Sequence, residues 1–499
     1  MKPDKSYIQE AIKPEEYEKY LVDGKDFIDD DLIRKKIAET KEPDPGEVEE
    51  ILERSMKIEL LTLSDVAKLL NVKDPKTWKK MEQTASEVKR KVYDNRIVFF
   101  APLYISNYCV NNCLYCGFRC ENRSERRKKL SLEEVKKETE VLAGDLGHKR
   151  LIVVYGEHPE TGIDYIVDTI KQIYDVKVPT KRGWGSIRRV NVNAAPFSVE
   201  ELKKLKDVGI GTYQVFQETY HHDTYEKVHP SGTIKNDYRW RLYVLHRAFE
   251  AGIDDVAIGA LFGLYDWRFE VMGLVSHAWD LEKHFGIGPH TVSFPRLQPA
   301  ANSPFIQQTR YRVTDSDFRK IVTVLRLAIP YTGMILTARE NPVVRKKTIP
   351  LGITQIDAST KIDIGGYSAS RQVQDLDEQQ FMIGDPRDMD TVIRELAEDG
   401  YISSFCTAGY RCGRTGEKIM DLLKTGGEGH YCKLNAILTF QEWLDDFASD
   451  RTREVGEKLI EDEIREVKER TPTDFSPELV EVVEKYHGRI KSGERDLYV

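Results

Sequence analysis

Apolar and polar positions follow two different spacings along this chain. Over roughly the first ninety residues, as in 44–52 and 63–70, the apolar positions recur at the spacing of amphipathic helices. From Arg96 onward, short apolar runs alternate with helical segments, several of which begin with capping sequences such as Ser131-Leu-Glu-Glu134 and Ser198-Val-Glu-Glu201. This second pattern predicts strands that alternate with helices.

Eight apolar runs carry the strand pattern, and most are followed by a helical segment. They are residues 97–104, 151–155, 190–193, 212–216, 256–261, 291–294, 334–337 and 352–356. Strands alternating with helices predict an α/β fold, and eight of them predict a closed (β/α)8 barrel. An open, doubly wound sheet is the alternative that the same pattern allows. We therefore expect an N-terminal helical segment (1–94), a barrel (95–375) and a helical C-terminal segment (376–499).

The charge and hydropathy of the chain argue against several classes of protein. Its 499 residues include 75 Lys and Arg against 83 Asp and Glu, a net charge of −8, and a mildly acidic chain is not expected to bind nucleic acid. No apolar run approaches the roughly 18 residues of a membrane-spanning helix. The N-terminus also lacks the apolar stretch of a secretory signal. We therefore expect a cytoplasmic protein without nucleic-acid or membrane partners.

Cysteine spacing provides the most specific chemical motif. Seven cysteines are too few for a disulfide scaffold, so in a reducing compartment they indicate metal or redox chemistry. Cys109, Cys113 and Cys116 lie on one short loop directly after the first predicted strand. Three thiolates there can ligate three irons of a [4Fe–4S] cluster and leave the fourth iron open for a small molecule. A zinc site or unrelated buried cysteines are the alternatives, although zinc usually has four ligands arranged in CxxC pairs.

This CxxxCxxC motif, with Tyr115 before its last cysteine, resembles the signature of the radical S-adenosylmethionine (SAM) superfamily. The resemblance implies that the open iron binds the amino and carboxylate groups of SAM, which is then cleaved to a 5′-deoxyadenosyl radical. Gly156 and Glu157, directly after the second predicted strand, look like the superfamily's SAM contact, in which exposed backbone and a carboxylate receive the methionine ammonium. A simple turn is the other interpretation of this Gly-Glu pair.

Longer stretches narrow the resemblance to the HydG family of tyrosine lyases. Gly156-Glu-His-Pro159, Tyr213-Gln-Val-Phe-Gln-Glu-Thr-Tyr220 and Pro295-Arg-Leu-Gln-Pro299 are among the similar segments, which extend over about residues 45–480. The resemblance implies cleavage of the Cα–Cβ bond of L-tyrosine to p-cresol and dehydroglycine. It further implies conversion to CO and cyanide at a second, C-terminal iron–sulfur cluster with an extra iron, for [FeFe]-hydrogenase assembly. The implied partners are a ferredoxin- or flavodoxin-type electron donor and hydrogenase maturation proteins.

Two other functions stay open at this point. The ThiH family of 2-iminoacetate synthases, which cleave tyrosine for thiazole and thiamin synthesis, is similar through the barrel but lacks the cysteine-bearing C-terminal extension. A non-catalytic iron–sulfur scaffold or carrier is the alternative outside enzymes, and it predicts no SAM cleavage. About eight or nine irons per chain would indicate two clusters, whereas about four would indicate the simpler lyase.

The C-terminal cysteines depart from the HydG pattern. In that family a CxxC pair and a third, more distant cysteine hold the second cluster. Here Cys406 and Cys432 match the first and third positions, Gly409 stands in the middle position, and Cys412 is an additional cysteine. Either Cys412 replaces the missing ligand on a flexible, glycine-containing loop, or the second cluster is absent.

Three residues outside the cysteine motifs are further candidates. His277 is the positional match for the histidine that holds the extra iron in the HydG family, and a structural histidine on a helix is the alternative. Arg339 follows the seventh predicted strand, where it can clamp a substrate carboxylate or form an ordinary ion pair. Glu218 ends the fourth predicted strand and is expected to face the mouth of the barrel.

Overall fold

Eight parallel strands close into a barrel in the computed structural model, which describes residues 5–369, 374–425 and 427–499. The strands are β1 (Arg96–Ser106), β2 (Arg150–Tyr155), β3 (Arg189–Asn193), β4 (Tyr213–Gln214), β5 (Val256–Gly259), β6 (Thr291–Ser293), β7 (Gly333–Leu336) and β8 (Gln355–Asp357). Each strand pairs with the next along the chain, and β8 pairs back with β1. The predicted (β/α)8 barrel is confirmed, and the open sheet is wrong because the pairing of β1 with β8 closes the sheet.

Strand β1 is long and apolar because it is buried, whereas β8 is shorter than the apolar run that predicts it. From Ile97 to Ser106 every residue of β1 is buried, because both faces of a barrel strand are covered. The predicted run 352–356 begins instead as a turn, in which Gly352 has a φ of 152° and donates its N–H to the Ile349 carbonyl. Strand β8 therefore starts only at Gln355.

Helices precede, surround and follow the barrel. Those before β1 are α1 (Lys5–Ala11), α2 (Glu15–Glu18), α3 (Asp30–Glu39), α4 (Pro45–Met56), α5 (Leu63–Leu70) and α6 (Pro75–Tyr93). Those between barrel strands are α7 (Leu132–Glu140), α8 (Ile163–Asp175), α9 (Val199–Val208), α10 (His222–Val228), α11 (Tyr238–Leu242), α12 (Val244–Glu250), α13 (Trp267–Phe285), α14 (Phe305–Gln308), α15 (Asp315–Ala328) and α16 (Pro342–Thr348). Those after β8 are α17 (Met389–Glu398), α18 (Ala408–Arg411), α19 (Gly416–Thr425), α20 (Gly427–Phe447), α21 (Asp450–Glu469) and α22 (Pro477–Lys491). Among the described residues, no helix is both long and apolar enough to cross a membrane.

Local capping sequences set the start of two barrel helices. The Ser131 side chain accepts the N–H of Glu134, whose carboxylate accepts the N–H of Ser131 in return. Ser198 and Glu201 form the same reciprocal pair at the start of α9. Each box satisfies backbone N–H groups that the first turn of a helix leaves without partners.

The C-terminal segment covers the end of the barrel at which the strands begin. Its strand β9 (Ile402–Ser404) pairs in parallel with the first residues of β1. The ring centre of Tyr410 lies 4.2 Å from the Arg189 guanidinium, and the Tyr410 hydroxyl is 3.3 Å from Thr212 Oγ1. Arg189 opens β3 and Thr212 precedes β4, so both contacts mark the N-terminal ends of strands. The cysteine loop lies at the opposite end of the barrel. The predicted boundary between barrel and C-terminal segment at residue 375 stays a prediction.

Candidate active site

The cysteine loop, residues 109–116, crosses the end of the barrel at which the parallel strands finish. Backbone hydrogen bonds to the two residues after β2 hold the loop and the end of β1. The Val110 N–H donates to the Glu157 carbonyl at 2.8 Å, and the Gly156 N–H donates to the Ser106 carbonyl at 2.8 Å. The position agrees with the general rule that functional groups of such barrels collect at the C-terminal ends of the strands.

Most of the predicted site residues line one central cavity. They are Cys109, Cys113, Cys116, Tyr115, Gly156, Glu157, Glu218 and Arg339. Apolar side chains such as Phe100, Ile152 and Ile335 line the same cavity from the barrel interior. The fold therefore brings together residues from β1, β2, β4 and β7 that are far apart in the sequence.

Gly156 allows the cysteine loop to approach β2 closely. A Cβ atom at this position would lie 2.2 Å from the carbonyl oxygen of Tyr108 and 3.2 Å from Cβ of Cys109. The first distance is far inside van der Waals contact and involves backbone, so a side chain fits only if the loop moves. Packing therefore requires glycine here, because glycine alone lacks the Cβ atom.

The thiols of the loop are suited to a metal group that displaces their protons. Burial and the neighbouring thiols raise the pKa of Cys109 to about 12, and burial raises the pKa of Cys113 to about 11. The thiols are therefore protonated at neutral pH, and binding of a metal would release the protons. Among the described residues, the ligand atoms close enough to share a single ion belong to His246, Asp280 and His284. The three loop thiols are not part of that group.

Glu157 places a buried carboxylate beside the cysteine loop. It is 8% exposed, and its Oε2 accepts a hydrogen bond from the Asn111 side chain. Burial raises the pKa of Glu157, while the Asn111 hydrogen bond and the charges of Arg241 and Lys235 act in the opposite direction. A cationic ligand group placed here would reduce the cost of burying the carboxylate.

Glu218 forms a charged cluster with two residues that the sequence pattern did not single out. Its Oε1 accepts a hydrogen bond from Lys235 Nζ at 2.7 Å and lies 3.5 Å from Arg241 Nη2. Burial alone would raise the pKa of Glu218, but the two cations hold it below its usual value. Its φ of 72° is rare outside glycine and shows that its surroundings hold the backbone in place. The cluster keeps two cations at the wall of the cavity.

Arg339 faces the cavity from the loop after β7. Its guanidinium lies 3.3 Å from the centre of the Phe381 ring. Burial lowers the pKa of Arg339, and the adjacent Glu340 pairs with Arg296 instead. Arg339 lines the cavity without an ion pair within the described ranges, and its role as a carboxylate clamp stays a prediction.

A segment that follows β8 closes over the cysteine loop. Gln380 Nε2 lies 3.5 Å from Cys116 Sγ, and its Oε1 accepts a hydrogen bond from the Tyr104 hydroxyl at 2.9 Å. Gly117 passes directly beneath this segment, since a Cβ atom there would lie 2.6 Å from the Gln379 carbonyl oxygen. Gln380 lines the cavity, and sequence analysis missed it because it lies beyond the predicted barrel strands.

Tyr115 is anchored to the chain that follows β4. Its hydroxyl lies 2.8 Å from His229 Nε2, and the Leu114 N–H donates to the Val228 carbonyl at 3.0 Å. Burial lowers the pKa of His229 well below its usual value, so the imidazole is neutral. The cysteine loop is thus held from two sides, by β2 and by this contact.

His277 lies apart from these groups. Its Nδ1 is 2.9 Å from the Tyr220 hydroxyl, and its ring packs near Phe27 on the outer side of the barrel. Among the described residues, His277 contacts Tyr220, Phe27 and His246, and its role as an iron ligand stays a prediction. A histidine that does lie at the N-terminal end of the strands is His290, whose Nδ1 is 2.6 Å from Asp255 Oδ2.

Two of the C-terminal cysteines lie together at the opposite end of the barrel. Cys432 on α20 is buried and Cys406 after β9 is half-buried. The N–H of Phe405, next to Cys406, donates to Thr439 Oγ1 on α20 at 3.2 Å. The Cys406 carbonyl accepts a hydrogen bond from Arg150, the first residue of β2, at 3.3 Å. Cys412 follows α18 and is exposed, so the structure does not bring it into this buried pair.

Comparison with known proteins agrees with this geometry. The pattern of the radical SAM superfamily matches residues 103–271, and that of the Biotin and Thiamin Synthesis associated domain matches residues 293–402. A crystal structure of HydG, a maturase of the [FeFe]-hydrogenase, is 47% identical, covers 95% of this chain and 100% of its own, and has a TM-score of 0.89. HydG from Carboxydothermus hydrogenoformans is 35% identical over 91% of this chain and 98% of its own, with a TM-score of 0.74.

A curated relative extends the comparison to a second activity. The 2-iminoacetate synthase of Salmonella typhimurium is 32% identical over 351 residues, which are 70% of this chain and 88% of that protein. The matched superfamily and the HydG likeness imply a [4Fe–4S] cluster and SAM as cofactors, and the three thiols, Gly156 and Glu157 fit that pair. The chain is therefore a radical SAM enzyme and belongs to the family that contains HydG and 2-iminoacetate synthase.

Proposed function

We propose that this enzyme cleaves the Cα–Cβ bond of L-tyrosine and releases p-cresol and dehydroglycine. The observation that carries the proposal is the convergence of the cysteine loop, the Glu157 carboxylate and the Arg339 guanidinium on one cavity. The cavity offers one end for SAM and another for the carboxylate of an amino acid. Its relatives named HydG and 2-iminoacetate synthase support the same reaction class.

At the SAM end, the three thiols of the cysteine loop would hold the [4Fe–4S] cluster. When bound and reduced by a ferredoxin- or flavodoxin-type donor, the cluster and SAM supply a 5′-deoxyadenosyl radical. Glu157 accepts hydrogen bonds from the methionine ammonium, and Gly156 presents backbone without a side chain. Tyr115, anchored on His229, keeps the last cysteine of the loop in position.

At the substrate end, Arg339 binds the tyrosine carboxylate through two parallel hydrogen bonds. Asp357 supports this position, because its Oδ1 accepts the Ala338 N–H at 2.7 Å directly before Arg339. Glu218 contacts the substrate from β4 and keeps the Lys235 ammonium at the cavity wall. The apolar barrel interior excludes water and holds the reacting atoms close together.

Product analysis tests this function. The purified protein would be reconstituted anaerobically with iron and sulfide and then supplied with SAM, a reductant and L-tyrosine. We expect 5′-deoxyadenosine and p-cresol to form together. Formation of 5′-deoxyadenosine without p-cresol would exclude tyrosine as the substrate, and absence of both would favour a scaffold or carrier.

Replacement of Arg339 tests the substrate clamp. Arg339→Gln removes the charge while keeping a hydrogen-bonding side chain of similar reach. Loss of a charge-assisted, bidentate contact is expected to raise the KM for tyrosine roughly 10- to 100-fold. Steady-state p-cresol formation measures this effect. Arg296→Gln is a nearby control, because Arg296 pairs with Glu340 and has no assigned substrate contact; an unchanged KM in Arg339→Gln would contradict the clamp.

For the second half of the reaction, we propose that a C-terminal cluster beside Cys406 and Cys432 converts dehydroglycine to CO and cyanide for [FeFe]-hydrogenase assembly. The likeness to HydG covers 95% of this chain, whereas 2-iminoacetate synthase matches 70% of it. That difference favours the HydG-type function, in which hydrogenase maturation proteins are the partners. A 2-iminoacetate synthase function without a second cluster is the alternative.

Tyrosine cleavage and CO formation are expected to be separable by point substitutions. Tyrosine cleavage belongs to the cavity at one end of the barrel, whereas Cys432 lies with Cys406 near the other end. Cys432→Ala is therefore expected to retain p-cresol formation within about twofold and to lose CO formation. Gas analysis of CO and chromatography of p-cresol measure the two products. Loss of p-cresol with unimpaired SAM cleavage would show that the sites are coupled.

A further inference from the structure

The position left without a cysteine, Gly409, has space for a side chain. A Cβ atom there would lie 3.5 Å from the Arg414 carbonyl oxygen and 4.0 Å from Glu428 Oε1, both ordinary contacts. Its φ is also not in the left-handed region that favours glycine. Neither packing nor backbone conformation therefore requires glycine, so the missing thiol needs a different explanation.

A buried carboxylate lies next to that position. Glu428 is 5% exposed, and its Oε1 lies 3.3 Å from Cys432 Sγ. Its Oε2 forms an ion pair with Arg414, whose Nε lies 3.5 Å away, and accepts no hydrogen bond from the described residues. The Arg414 ion pair offsets part of the cost of burying this carboxylate, and a bound metal group would offset more of it. One turn of α20 separates Glu428 from Cys432, so both side chains lie on the same helix face.

Cys406 completes a group of three possible ligands. Cys406 lies beside α20, because the N–H of the preceding Phe405 donates to Thr439 Oγ1 on that helix at 3.2 Å. The Ala408 N–H, one residue before Gly409, donates to Cys406 Sγ at 3.3 Å. Burial lowers the pKa of Arg96, the first residue of β1, but Cys432, Cys406 and Glu428 contribute to a net rise. Arg96 and Arg414 also supply positive charge to balance two thiolates and a carboxylate.

We propose that Cys406, Cys432 and Glu428 hold the second iron–sulfur cluster of this chain, with the Glu428 carboxylate in place of the thiol absent at Gly409. This inference rests on the proposed two-cluster function. Both thiolates and carboxylates ligate iron, and three protein ligands leave one iron of a cube open. Cys412 has no part in the site, since it lies at the surface.

The test counts iron in a background without the SAM cluster. With Cys109, Cys113 and Cys116 all replaced by Ala, the reconstituted chain is expected to bind about four irons. Adding Glu428→Ala or Glu428→Gln is expected to lower this value at least fivefold. Adding Glu428→Cys is expected to retain the iron with an altered Mössbauer spectrum. Adding Cys412→Ala, or Glu417→Ala as a control at another α19–α20 position, is expected to change nothing.

Each result decides between the possible ligand sets. Retention of iron in both the Glu428→Ala and the Glu428→Gln variants would overturn the proposal, as would loss of iron in the Cys412→Ala variant or absence of iron from the background protein. Circular dichroism verifies that each variant is folded, and the isosteric Gln variant controls for packing. In the chain with its cysteine loop intact, Glu428→Gln is expected to retain p-cresol formation. Failure of the wild-type chain to form p-cresol would refute tyrosine cleavage while leaving the iron test valid.

Discussion

Replacement of Cys113 by alanine is expected to abolish reductive cleavage of SAM, with a loss of more than roughly 100-fold. Ligands of a metal group contribute more than the residues that merely support them, whose loss already costs about 10- to 100-fold. Cys113 lines the cavity together with the two other thiols of the loop, so the cluster would lose one of its three protein ligands. Formation of 5′-deoxyadenosine under anaerobic, reducing conditions measures the effect.

Cys120 provides the matched control for this substitution. It follows the same loop, and its N–H donates to the Asn111 carbonyl at 2.8 Å, but its side chain does not line the cavity. Cys120→Ala is expected to keep SAM cleavage within about twofold of the wild-type value. Normal 5′-deoxyadenosine formation by Cys113→Ala would falsify the assignment of the cluster to this loop.

Gly156→Ala is expected to lower SAM cleavage about 100-fold, although it adds a single methyl group. The new Cβ atom would lie 2.2 Å from the Tyr108 carbonyl oxygen, so the backbone of the cysteine loop must move by about 1 Å or more. Displacements of this size at a reacting centre reduce rates by about two orders of magnitude. The same movement is expected to weaken SAM binding, which equilibrium dialysis on the reconstituted, oxidised protein would measure.

Gly162→Ala is the matched control on the same side of the barrel. Its Cβ atom would lie 3.4 Å from the Pro159 carbonyl oxygen, at the edge of ordinary contact, and its φ is −68°. We expect wild-type activity from this variant. Equal activity of Gly156→Ala and Gly162→Ala would show that the close approach of loop and strand does not matter for catalysis.

The barrel could be predicted because its strands are buried on both faces. Strand β1 is apolar over nearly its whole length, and the capping sequences at Ser131 and Ser198 set the following helices without any help from distant residues. Such local signals do not require knowledge of the fold. The bounds of individual strands were harder to predict than the barrel itself. The apolar run at 352–356, for example, begins with a turn at Gly352.

The cysteine loop could be predicted for a related reason. Its three thiols are neighbours in the sequence, so their spacing alone limits how they can surround a metal group. Gly156 and Glu157 could be predicted too, because they follow a strand whose end must lie beside the end of β1 in a parallel barrel. Sequence could identify these candidates, although their roles in binding remain proposals.

By itself, the sequence determined the closed barrel, the position of the cysteine loop and the family to which the chain is similar. Only the tertiary structure decided which distant residues join them. Lys235 and Gln380 reach the cavity from segments without a strand pattern, and Glu428 reaches the buried C-terminal thiols while Cys412 stays at the surface. Hydrophobic periodicity and ligand spacing are local properties of the chain, whereas the burial of a charge depends on every segment that packs around it.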